Sequence, residues 1–166
     1  MGFFGGSSGG GGAAATVKSV VRTEWDQGNS GTFSDGTIAY PLWSASPSFN
    51  DGSLFTYHAD YNSTGHLGIE VNANAKVGFN ISLGSQGASW LNLSLITLLL
   101  TEENAGVVDV FYELPVPASG SLYPNASLLI REVTAGEVYY PSLYVWGDNK
   151  DYGDFNTLSA FIMYEV

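Results

Sequence analysis

Three stretches of this 166-residue chain hold side chains that could do chemistry. Gly6-Ser7-Ser8-Gly9-Gly10 matches the G-x-S-x-G pattern of serine hydrolases. That pattern works as a strained turn between a strand and a helix, which lifts the serine hydroxyl clear of the backbone. No strand-forming run precedes Gly6, so no nucleophile is expected there. His58 and His66 are the only imidazoles. His58 lies inside an apolar-alternating run and His66 borders another, and two isolated histidines read as satisfied structural side chains rather than as a base or metal pair. Asp148, Asp151 and Asp154 follow one another at spacing three with Gly153 between the last two. Such hard oxygen ligands could hold Ca²⁺, but a solvated acidic turn has the same composition. No metal and no cofactor is expected.

Composition closes off further chemistry. With no cysteine, the chain has no disulfide, no thiol nucleophile, no iron–sulfur cluster and no thiolate zinc site. Sixteen acids make chance carboxylate pairs common, so paired acids alone do not argue for a glycosidase. The net charge is −11, and the five Lys and Arg cannot form the basic patch that phosphate-backbone binding needs. Lys18 and Arg22 lie in a stretch with no acid, whereas all sixteen acids follow residue 22. No apolar run approaches the 18 or more residues of a membrane helix, and no membrane partner is expected. The opening residues have neither a basic leader nor an apolar core, and Gly6 stands where a myristoylation motif needs Ser or Thr. Synthesis in a host cytoplasm is the expectation.

The elements that would position these residues are strands. Leu67, Ile69 and Val71 alternate with polar or small residues, as do Val77, Phe79, Ile81 and Leu83, and again Val108, Val110, Tyr112 and Leu114. The short link Asn72-Ala73-Asn74-Ala75 predicts a hairpin joining the first two runs. Further strands are expected within 16–22, 37–43, 54–61, 90–100, 127–133, 138–146 and 157–166, separated by Gly, Asn, Asp, Pro and Ser clusters. No segment shows a sustained 3.6-residue stripe. The expectation is an all-β antiparallel sandwich of about 8–10 strands over residues 23–166, preceded by an arm and lead-in strand over residues 1–22.

Two runs are apolar on both faces: 90–100, ending Leu98-Leu99-Leu100, and 138–146, which includes Tyr140 and Tyr144. A strand with two dry faces needs cover on both sides. A second subunit would supply it, with Leu99, Tyr140, Tyr144 and Phe161 as the expected contacts; a lid from the loops at 23–52 or 115–126 would serve equally. Four Asn-x-Ser/Thr sequons, at Asn62, Asn80, Asn92 and Asn125, reflect an Asn/Ser-rich composition.

The segment Ser127-Leu128-Leu129-Ile130-Arg131-Glu132-Val133-Thr134-Ala135-Gly136-Glu137-Val138-Tyr139 resembles the penultimate hairpin of the trimeric jelly-roll domains of the tumour-necrosis-factor and complement-globular-head superfamily. Phe155-Asn156-Thr157-Leu158-Ser159-Ala160-Phe161-Ile162-Met163-Tyr164 resembles its closing strand. The likeness covers about a quarter of the chain. Pro141 departs from it by interrupting what should be a continuous strand. What the resemblance implies is a jelly roll and a homotrimer.

The plan of a Gly-rich arm on a small β domain, opening MGFFGG, is similar to that of tailed-bacteriophage capsid decoration proteins and short head fibres. The implied function is a non-enzymatic virion protein. Phe3 and Phe4, the only large apolar side chains of the arm, would anchor it to a capsid or tail protein, with Lys18 and Arg22 adding charge. The alternative is a receptor-binding fibre tip, with Trp43, Tyr57, Tyr144 and Trp146 stacking on a host-surface glycan.

Overall fold

The structure is a computed structural model describing residues 18–24, 31–33, 38–39, 44–61, 66–88, 93–115, 120–147, 150–152 and 160–166. Period-two alternation becomes thirteen antiparallel strands among these residues, in two main layers. The first sheet runs in the order β10 (Gly120–Val133), β7 (Ala75–Ala88), β13 (Ala160–Glu165), β1 (Val20–Glu24) and β4 (Phe49–Asp51). The second runs β5 (Phe55–His58), β6 (Gly68–Val71), β11 (Val138–Gly147), β8 (Leu93–Glu102) and β9 (Gly106–Pro115), with the short β3 (Ile38–Ala39) added to β11. A two-stranded ribbon pairs β12 (Lys150–Tyr152) with β2 (Gly31–Phe33). The boundary expected after residue 22 falls inside β1, so Arg22 belongs to the first sheet.

The apolar side of each strand faces the gap between layers. Val21, Val77, Phe79, Ile81, Phe161 and Met163 enter from the first sheet, and Ile69, Val71, Leu98, Leu100 and Leu143 from the second. Ring pairs span the gap: Phe79 with Tyr139 at 5.0 Å, and Phe111 with Phe161 at 6.3 Å between centroids. Each such side chain stabilises the fold by about 1.5–3 kcal/mol through desolvation.

Two polar clasps close the open sides of the sandwich. On one, Arg131 of β10 donates to the Val108 carbonyl at 3.1 Å and reaches Asp109 Oδ2 at 3.4 Å, while Ser127 Oγ donates to the Phe111 carbonyl at 2.9 Å. On the other, the buried Thr23 hydroxyl donates to Tyr57 OH at 2.9 Å, and that phenol donates to the Ser44 carbonyl.

The expected hairpin at 72–75 is corrected. β6 and β7 lie in different sheets, so the link carries the chain across the sandwich. Both runs present apolar residues to the same core from opposite sides, and a short polar link suits a corner as well as a hairpin. The turn before Val138 is corrected likewise: β10 pairs with β7 while β11 pairs with β6 and β8. Gly136 makes this corner with φ +88°, where a Cβ would be strained. A tight hairpin joins β8 to β9. There the Glu102 carboxylate accepts the N–H of Asn104 at 3.0 Å and of Ala105, closing the turn. Pro141 fits inside β11 because β6 pairs only with Val138 and Tyr139, and β3 only with Leu143 and Tyr144. Among the described residues Pro141 therefore has no ladder partner on that side.

Candidate self-association face

Of the residues expected at a subunit contact, one is turned inward and three lie on the outer side of the second sheet. Phe161 is fully buried in the core beside Phe111, so it meets its own chain. Leu99 and Tyr140 do lie on the outer side of the second sheet, yet they are already 94% or more buried within one chain, as are Ser142 and Thr101, whose hydroxyls share a 2.6 Å hydrogen bond. The His66 ring stacks on Tyr140 at 4.4 Å. These side chains are covered within the single chain. Tyr144 is half-buried on β11.

The other chemical candidates are likewise accommodated within the fold. His58 Nε2 lies 3.1 Å from Glu70 Oε2 and edge-on to Tyr61; His66 Nε2 lies 3.4 Å from Glu103 Oε2. Each imidazole has a carboxylate partner. Asp148 and Asp154 lie outside the described residues. Asp151 sits on β12 opposite Thr32, and no group of three His, Asp or Glu residues suited to a metal occurs among the described residues. Asn80 lies in β7; Asn62 and Asn92 lie outside the described residues, and Asn125 lies within β10. Phe3, Phe4 and Trp43 lie outside the described residues, and Trp146 belongs to β11. Tyr57 is no exposed stacking platform: its ring packs against the core and its hydroxyl is committed to Thr23 and Ser44. Burial raises its pKa above the usual phenol value, partly opposed by the Thr23 bond.

A cleft of about 470 Å³ at one end of the sandwich, beside Ser19, Asn72 and Glu165, has no catalytic pair. Ser19 Oγ accepts the N–H groups of Ser53 and Leu54, and Glu165 Oε2 accepts the Ser19 N–H. These groups hold the chain termini of the sheet together and leave no free base.

What remains is the outward face of the first sheet. Strand alternation directs Val21, Thr23, Phe161 and Met163 inward and therefore Val20, Arg22, Glu24, Ile162 and Tyr164 outward. Register aligns them into rows across five strands. One row reads Phe49, Arg22, Ile162, Asn80, Leu128; the next reads Asp51, Val20, Tyr164, Gly78, Ile130. At about 4.8 Å per strand the face is roughly 19 Å wide. Phe49, Leu128 and Ile130 are each about half exposed, at 51%, 50% and 49%. A groove of about 370 Å³ beside β4 is lined by Val20, Phe49 and Ile162 and by Arg22, Glu24 and Ser48. Single exposed apolar residues are ordinary on a soluble protein, and here three of them share one sheet face.

The charge on this face differs from that of the whole. Two of the chain's five basic residues stand here, each beside an acid: Arg22 with Glu24 at 2.9 Å, and Lys76 in register with Glu132. A strongly acidic chain thus presents a nearly balanced surface at this position. Sequence periodicity identified these strands, and attention to the two-sided runs placed the expected contacts on β8, β11 and β13 rather than on β10. The exposed Leu128 and Ile130, alternating with Leu129 and Arg131, were the signal that could have found the face.

No family model matches the chain, and no curated protein matches it. Solved structures do. Crystal structures of murine APRIL at pH 5.0 and pH 8.5 align with TM-scores of 0.60 and 0.58 at 8% and 10% identity, over 90% of this chain and 100% of theirs. A structure of Eiger TNF from S. frugiperda aligns with a TM-score of 0.53 at 11% identity, over 90% of this chain and 92% of that one. At these identities the likeness establishes the fold, an all-β antiparallel jelly-roll sandwich.

Proposed function

We propose that this jelly roll is a non-catalytic structural protein that assembles as a homotrimer through the outward face of the first sheet. The observation that carries the reading is that half-exposed Phe49, Leu128 and Ile130 share two adjacent rows of one sheet face whose charges nearly balance. Each large apolar side chain removed from water there contributes about 1.5–3 kcal/mol at most. Copies of a chain with net charge −11 repel one another through most of their surfaces. This face is where they can meet with least repulsion. The fold shared with APRIL and Eiger TNF is consistent with such self-association.

The setting we propose is a virion, as a capsid decoration or short head-fibre protein of a tailed bacteriophage. Support comes from the Gly-rich opening with its Phe3-Phe4 pair and from carboxylate-partnered histidines that leave no catalytic pair among the described residues. Lys18 is exposed at the start of the first sheet, in position to add charge to an attachment made by the arm.

Light scattering tests the assembly: a mass about three times the 17.6 kDa chain at micromolar concentration is expected, and a stable monomer refutes it. Attachment is tested with a Phe3→Ser, Phe4→Ser double variant rather than by removing residues 1–22, because that truncation would cut through β1. The variant should trimerise and lose occupancy on particles; unchanged occupancy removes the aromatic anchor.

A further inference from the structure

Within the self-association face, one pair of residues is chemically out of place. Arg22 stands in a row between Phe49 and Ile162, with Asn80 and Leu128 beyond. Its Nη2 lies 2.9 Å from Glu24 Oε1, and the two side chains retain 44% and 34% of their exposure. Its Nε–H is already buried without a partner. Both residues line the groove of about 370 Å³ together with the apolar Val20, Phe49 and Ile162. An apolar contact made across this groove would take both charges out of water.

Resting on the self-association reading above, we infer that the groove is filled by a second copy of this chain and that the Arg22–Glu24 pair fixes the register and number of the assembled copies. Two observations favour a second copy as the occupant. An acidic chain offers many carboxylates and carbonyls to a guanidinium whose five donors Glu24 meets only in part. The pair is also electrically neutral, so covering it adds no net repulsion between acidic copies. A desolvated ion pair adds little affinity compared with apolar side chains of the same size, but it excludes arrangements that leave either charge unpaired. Apolar rows such as those of Phe49, Leu128 and Ile130 can slide over one another. A buried guanidinium beside its carboxylate cannot, because each shifted register strands a charge.

The test compares the wild-type protein with Glu24→Gln and with the double variant Arg22→Leu, Glu24→Leu, by light scattering over a dilution series, with circular dichroism to verify folding. Glu24→Gln leaves an unpaired buried arginine and should raise the dissociation constant of the assembly about tenfold or more. The double variant should still associate, with mixed stoichiometry in place of one size. If Glu24→Gln fails to fold, Arg22→Lys, which keeps the charge and loses the planar fork, takes its place and should weaken assembly in the same direction. A wild-type protein that stays monomeric overturns the self-association reading itself. A wild-type trimer matched in size and dilution behaviour by every variant leaves self-association standing and overturns the role of the pair.

Discussion

Tyr164 lies flat across Gly78. The two are in register on β13 and β7, and a Cβ built on Gly78 would overlap the tyrosine ring, with the phenol oxygen 2.6 Å away. The glycine thus gives the first sheet a shallow seat in which an aromatic ring completes the outward face, between Val20 and Ile130.

Replacing Gly78 by alanine should therefore lift Tyr164 off the sheet. The cost to the folded chain is that of a local overpacking, about 1–3 kcal/mol. Dilution light scattering should show weaker assembly, since the displaced ring disturbs both rows. Assembly as tight as wild type would mean that the ring is not part of the contact.

Tyr57 clasps β5 to β1 across the open side of the sandwich. Tyr57→Phe deprives the buried Thr23 hydroxyl and the Ser44 carbonyl of a partner and should cost about 1–3 kcal/mol. At about 2–4 °C per kcal/mol for a chain of this size, the loss should be visible in thermal melts.

Alkaline pH should act on the same residue and on Tyr139. Burial raises both phenols above the ordinary value of 10.0, and at Tyr139 the hydrogen bond it donates to Glu137 and that carboxylate's charge push further in the same direction. Above pH 10 the unfolded chain releases these protons while the folded chain retains them, so stability is complete below 10 and declines as pH rises toward the folded values. Urea midpoints measured from pH 8.5 to 11 should fall, and Tyr139→Phe should flatten the decline.

Core and contact are separable by substitution. Phe161→Ala empties a fully buried site and should cost about 3–5 kcal/mol. Leu128→Ser with Ile130→Ser changes exposed positions and should leave the stability of the single chain within about 0.5 kcal/mol per site, while lowering the mass in solution toward that of the monomer. Equal loss of stability in both would place Leu128 and Ile130 in the core instead.

The fold class and most strands were legible in the sequence because alternation such as Val77, Phe79, Ile81 reports a local property, one dry face and one wet face. Pairing was not legible in the same way. The link at 72–75 has the composition of a hairpin, yet whether β6 pairs with β7 or β11 depends on residues sixty or more positions away: the Val71 N–H donates to the Glu137 carbonyl at 2.9 Å, and the Val71 carbonyl accepts the Gly136 N–H at 2.7 Å. The same limit governed the contact residues. Leu99 and Tyr140 are apolar and outward on their strands, but their cover comes from elsewhere in the chain, including His66, which no local pattern reveals. Leu128 and Ile130 look, residue by residue, like any other strand interior, and only the register across five strands shows them aligned and uncovered.

The position of β1 between β13 and β4 has a consequence for biosynthesis. Among the described residues, β1 is the first strand to emerge and pairs along its whole length with the last, from Val20 with Tyr164 to Glu24 with Ala160. Translation proceeds at about 5–20 residues per second, so β1 waits roughly 7–28 s for its principal neighbour. During that interval Val21 has no lid and the first sheet has no centre. The face that would join copies of the chain does not exist until β13 arrives, so nascent chains on one messenger cannot recognise one another through it. Association of this kind waits on β13, and its rate is then set by the concentration of chains that have formed it.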